Sequence, residues 1–135
     1  MNPTVLIIDM GTATKLLVVD EKASFGGAVI MPGVEISLKA LSGGTAQLPQ
    51  ISLDAPNRVM GKNTVECMQS GVVFGNASMM DGMIDRIEAE EGKMASVVAT
   101  GGLSKAIVPY CNHNIIQDDD LILKGLKIIY EKNNK

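Results

Sequence analysis

Three short apolar runs crowd the start of this chain, and their spacing limits what it can fold into. "TVLIID" (Thr4–Asp9), "ATKLLVVD" (Ala13–Asp20) and "SFGGAVIMPG" (Ser24–Gly33) are separated by only three residues each. The runs are rich in β-branched residues, and only tight turns can join them. They therefore read as an antiparallel meander of three strands. Gly26 and Gly27 inside the third run predict a bulge or a close backbone approach, and Pro32-Gly33 ends the strand.

The rest of the chain alternates between helix and strand patterns. Val34 to about Gln47 places Val34, Leu38 and Leu41 on one helical face. "GGTAQLPQISLDAPNRVMGK" is a long loop broken by Gly43-Gly44, Pro49 and Pro56, and loops of this length in a compact domain are often functional. Asn63 to about Glu91 contains no proline and repeats apolar residues at helical spacing from Val65 to Ile87. Asn63 is a good N-cap, and Glu66 completes a capping-box-like pair. "MASVVAT" predicts a buried strand, "GGLSKAIVPY" a glycine turn into a short helix, and "HNIIQ" a short strand. "DDDLILKGLKIIYEKNNK" predicts a closing helix whose acids sit at its positive end. A meander followed by α/β units argues a mixed five-stranded sheet with helices on its faces.

Composition excludes several function classes. With 135 residues, 46% hydrophobic and 20% charged, the chain fits one globular domain. The net charge is -3, and Lys15, Lys22, Lys39 and Arg58 are scattered, so no basic stripe for nucleic acid is present. Aromatics are 3% with no Trp, which leaves no base-stacking platform. No apolar run approaches the roughly 18–20 residues a membrane span needs. "MNPTVLIID" lacks the basic start of a signal peptide, so a cytoplasmic location is expected. Cys67 and Cys111 are too few for a disulfide framework and are read as reduced thiols. Cys111 and His113 have no zinc spacing, no Ser/His/Asp triad is visible, and Met79, Met80 and Met83 are read as core or subunit-contact residues.

Chemistry concentrates in three stretches. In "LIIDMGTATKLL", Asp9 ends the first strand, where open α/β sheets bind ligands, and a carboxylate there suits a hard cation. Gly11 allows close approach of a phosphate, and Thr12 and Thr14 offer hydroxyls. A plain Asp-x-Gly hairpin has the same sequence. In "VVATGGLSK", Gly101 and Gly102 present bare backbone for a ring or phosphate, although a glycine-relieved turn reads the same way. In "GKNTVE", Thr64 begins the long helix, where free amides favour an anion, while capping by Asn63 is the simpler reading.

Taken in order, "DMGTAT", "GGAVIMPG", "TAQLP", "GKNTVECMQSG", "ATGGL" and "DDDLILKGLKIIYEKN" resemble the C-terminal half of type III pantothenate kinases, of the actin, sugar kinase and Hsp70 superfamily. The resemblance covers essentially the whole chain. It implies a ribonuclease H-like fold and, in the whole enzyme, ATP-dependent phosphorylation of pantothenate to 4'-phosphopantothenate in coenzyme A synthesis. Asp9 matches a residue that holds a monovalent cation, potassium or ammonium. Thr12 and Gly11 match the phosphate turn, and Gly101 and Gly102 the adenosine side. Thr64 matches a pantothenate-binding residue, ATP enters with Mg2+, and the family is a homodimer. Residues 1–135 then form the second domain of a two-domain kinase, a truncated piece or half of a split gene. The first domain, with the catalytic base, is absent, so the chain by itself is expected to be inactive. Two rivals are a non-catalytic nucleotide- or cation-binding module acting as a regulator or partner subunit, and a half of a sugar or acetate kinase, against which "GKNT" argues. Lys15 departs from the family motif, which has a threonine there.

Overall fold

The computed structural model describes residues 4–20, 22–44 and 50–121. β1 (Thr4–Met10), β2 (Thr14–Asp20) and β3 (Phe25–Met31) form the expected meander. α1 (Val34–Gly44) and α2 (Thr64–Glu91) follow, then β4 (Ser96–Thr100), α3 (Ser104–Ile107) with a 3₁₀ turn at Val108–Tyr110, and β5 (Ile116–Gln117). The strand order is β3-β2-β1-β4-β5. β1 runs antiparallel to β2 and parallel to β4, and β4 is parallel to β5, so β2 alone is reversed. This is the mixed five-stranded α/β sheet that the sequence predicts.

Alternation along each strand separates two faces. Leu6, Ile8 and Met10 of β1, Leu16 and Val18 of β2, and Val97 and Ala99 of β4 join one buried cluster. Val72, Val73, Ala77, Met80, Ile84 and Ile87 of α2 complete that cluster, with Val34 of α1 and Ile107 of α3. Fully burying each such side chain stabilises the fold by about 1.5–3 kcal/mol. Met80 is core and Met83 packs on it, as the sequence suggests, while Met79 faces out. The predicted bulge is present. Val18 faces Gly27 while Val19 faces Phe25, leaving Gly26 as the extra residue.

Both ends of α2 are fixed by side chains. Asn63 Oδ1 accepts from the Glu66 amide at 2.9 Å, and Glu66 Oε2 accepts from the Lys62 amide at 2.9 Å. The pair contributes on the order of 1 kcal/mol to the helix start. At the other end the Gly92 amide returns to Glu88 O, and Glu88 Oε2 accepts from the Met94 amide. A helix of 28 residues is about 42 Å long, whereas the seven-residue β1 spans about 23 Å. α2 is therefore longer than the strand it covers, and its first two turns precede Val72, the first α2 residue in the core cluster.

Two expectations are corrected in extent. "HNIIQ" pairs only at Ile116–Gln117, because the Asn112 and His113 amides donate to the Asp81 carboxylate on α2 at 2.7 and 3.0 Å instead of to β4. α1 is helical to Gly44; its expected continuation to Gln47 lies outside the described residues, as does most of the closing helix. Leu121 already has helical form, and Asp118 Oδ1 accepts from the Asp120 amide just before it.

Candidate functional site

The parallel pairing of β1 with β4 sets Asp9 level with Thr100, so the chain leaves both strands at the same sheet edge. Two turns emerge there, "MGTA" after β1 and "GGL" after β4. Gly101 has φ +103, and a Cβ on it would lie 2.6 Å from Met10 O and 2.7 Å from Met10 C. Only glycine permits this approach, because the left-handed backbone and the missing side chain are both required. Ser104, fully buried at the start of α3, donates from its hydroxyl to Gly101 O at 2.8 Å and so clamps the second turn.

Gly11 lies beside Asp9: a Cβ there would sit 3.5 Å from Asp9 Oδ1, so the carboxylate lies over the turn. Thr12 is exposed at the tip, and Gly102 is exposed with open space around it. Asp9, Gly11, Thr12, Gly101 and Gly102 are thus brought to one edge. Asp9 sits on the face opposite the α2 core, half-buried, with Thr100 beside it on β4 and Lys15 facing it across β2. β2 begins at Thr14 regardless of Lys15.

Thr64 is placed elsewhere. It is the first helical residue of α2, exposed, in a concavity of about 620 Å³ with Leu41, Lys62, Cys67 and Met68. Neither Asp9 nor Thr12 lines it. Gly61 closes its floor against the helix: a Cβ there would lie 2.5 Å from the Cys67 amide nitrogen. Ser70 donates its hydroxyl to Val59 O and so holds the preceding loop on α2.

The sequence reading missed Thr100, Ser104 and the facing role of Lys15. A serine three residues after Gly101 was an available signal for the clamp. The face shared by Lys15 and Asp9 required the register.

His113, at the start of the segment read from sequence as a short strand, has its Nε2 2.7 Å from Asp85 Oδ1. Cys67 and Cys111 are both free thiols. Burial and the nearby Asp81 carboxylate push the Cys111 thiol up from 9.0 to about 11. The folded state thus holds this proton more tightly. Its stabilising contribution is complete below pH 9.0 and is lost as pH rises towards about 11. Iodoacetamide at pH 8 is expected to label exposed Cys67 well before Cys111, with Cys111 labelling accelerating steeply at higher pH. Peptide mass mapping reads both, and equal labelling at pH 8 would contradict the buried thiol.

The family model for type III pantothenate kinase matches residues 1–86. The chain belongs to the type III pantothenate kinase family. A type III pantothenate kinase of Acholeplasma laidlawii is 46% identical over 134 residues, covering 99% of this chain and 53% of the relative. One from Moorella thermoacetica is 44% identical over 128 residues, covering 95% of this chain and 50% of the relative. The chain thus spans about half the length of these kinases. Among solved structures, a Baf family transcriptional activator from Campylobacter jejuni superposes with TM-score 0.61 at 24% identity, over 98% of this chain and 59% of that one. The Alp12 filament superposes with TM-score 0.53 at 17% identity, over 88% of this chain and 43% of that one. These two likenesses concern the fold. No described helix is long and apolar enough to cross a membrane.

Proposed function

We propose that this chain is the second domain of a pantothenate kinase and supplies part of its ATP site and part of its pantothenate site. The observation that carries this reading is the packing of the Gly101 turn on the Met10 backbone, which gathers the two glycine turns at one edge of the parallel strands. Phosphoryl transfer asks the protein for positioning and charge neutralisation more than for covalent chemistry. In this reading Gly11 and Thr12 receive the phosphates of Mg–ATP, Gly101 and Gly102 lie along the adenosine, and Thr64 holds pantothenate in the concavity at the start of α2. In this reading the other half of the kinase brings the catalytic base, and this domain by itself gives no turnover. It works in the cytoplasm as part of a homodimer. Gly71, Gly75 and Gly82 of α2 leave open space where a second helix could approach closely.

Asp9 holds a positive charge against the phosphates. The family resemblance implies a diffusible potassium or ammonium ion for that role. Lys15 places a fixed cation on the same face as Asp9. These residues fit a diffusible ion poorly, and no step is routed through one.

The test supplies the first domain and follows Mg–ATP-dependent phosphorylation of pantothenate. Asp9→Ala is expected to lower turnover at least 100-fold with the circular dichroism spectrum unchanged. Thr64→Ala is expected to raise KM for pantothenate at least 10-fold. No turnover by the wild type would refute the kinase reading, and undiminished turnover in Asp9→Ala would remove Asp9 from the site.

A further inference from the structure

Lys15 is the residue that the family motif does not explain. Asp9 and Lys15 are directly paired across β1 and β2. They therefore point to the same face, with Cβ atoms about 4.5–5.5 Å apart. That face is the one turned away from the α2 core, and Lys15 is exposed on it. Gly11 adjoins the Asp9 carboxylate, so the lysine, the carboxylate and the glycine turn share one corner of the sheet. Among the described residues neither Asp9 nor Lys15 has a side-chain hydrogen bond or an ion pair.

Phosphates arriving at the turn bring negative charge next to a carboxylate, and a cation has to lie between them. A lysine head is a compact ammonium on a four-carbon stem with three donors, enough to reach a carboxylate and a phosphate oxygen together. Being tethered, it binds without the loss of freedom that capture of a free ion entails. It also repels a second monovalent cation from the same corner.

We propose that the Lys15 ammonium supplies the positive charge between Asp9 and the nucleotide phosphates, so this kinase works without a diffusible monovalent cation. The inference rests on the kinase reading above.

The experiment compares wild type with Lys15→Thr, each assembled with the first domain, in KCl and in choline chloride at equal ionic strength. Wild-type turnover is expected to differ by less than twofold between the two salts. Lys15→Thr is expected to lose at least 10-fold in choline chloride and to recover in KCl. Melting temperatures with Mg–ATP give a second readout: a potassium-specific rise is expected in Lys15→Thr and none in wild type. Potassium dependence of wild type in either readout overturns the inference, and so does a Lys15→Thr variant as indifferent to potassium as wild type. Absence of wild-type turnover in both salts refutes the kinase reading and the inference with it, whereas turnover with the wrong salt response refutes the inference alone.

Discussion

Gly101→Ala is expected to cost the chain about 3–5 kcal/mol and to separate the two turns of the candidate site. Two effects add. The residue has φ +103, which strains any side-chain-bearing residue. The new methyl would also meet Met10 O at 2.6 Å, Met10 C at 2.7 Å and Met10 N at 3.0 Å. These are main-chain atoms of a central strand held on both sides, so neither neighbour can rotate away. The relief available is to lift β4 from β1 at their shared end, which breaks the parallel pairing of Asp9 with Thr100. Urea unfolding measures the loss, and amide exchange at Asp9 and Thr100 should rise with it. Gly102→Ala is the control: nothing lies within 4 Å of its added methyl, and its unfolding midpoint should barely move. A Gly101→Ala loss below 1 kcal/mol would contradict the packing described.

Ile84→Ala is expected to cost about 2–5 kcal/mol. Ile84 is 0% exposed and belongs to the cluster that joins α2 to the sheet. Its removal deletes buried apolar contact and leaves a cavity between rigid elements. Domains of this size are stable by only about 5–15 kcal/mol, so one such change removes a large share. Thermal unfolding should fall by roughly 10 °C or more. Met79→Ala, on the exposed side of the same helix, should change it little, and equal effects at the two positions would contradict the assigned face.

Much of this was legible locally. α2 announced itself through its apolar spacing, and its start through Asn63 and Glu66. The meander followed from three apolar runs too close together for anything but turns. Gly26 and Gly27 signalled the bulge. Longer-range competition was not legible. Nothing near Asn112 and His113 indicates that Asp81, more than 30 residues earlier, takes their amides and shortens β5. The Asp85 partner of His113 lies 28 residues earlier in sequence. Of the candidate site, the five residues at the sheet edge were named from motif order, but their shared edge depends on strand register, which no single motif carries. Thr64 was named correctly as a helix-start residue, while its place away from Asp9 follows from the two turns of α2 that precede the core cluster.

The length of α2 also restricts how the chain can vary. Near its middle α2 fastens the 112–113 loop through Asp81 and Asp85 and packs Met80 and Ile84 on the sheet, while its first turn carries Asn63 and Thr64. One residue inserted between these parts would rotate one against the other by about 100°. Thr64 would then leave its concavity, or Asp81 its loop. Seven residues restore the facing to within about 20° but slide the two parts about 10 Å apart along the axis, so the spacing within this helix is fixed in both rotation and length.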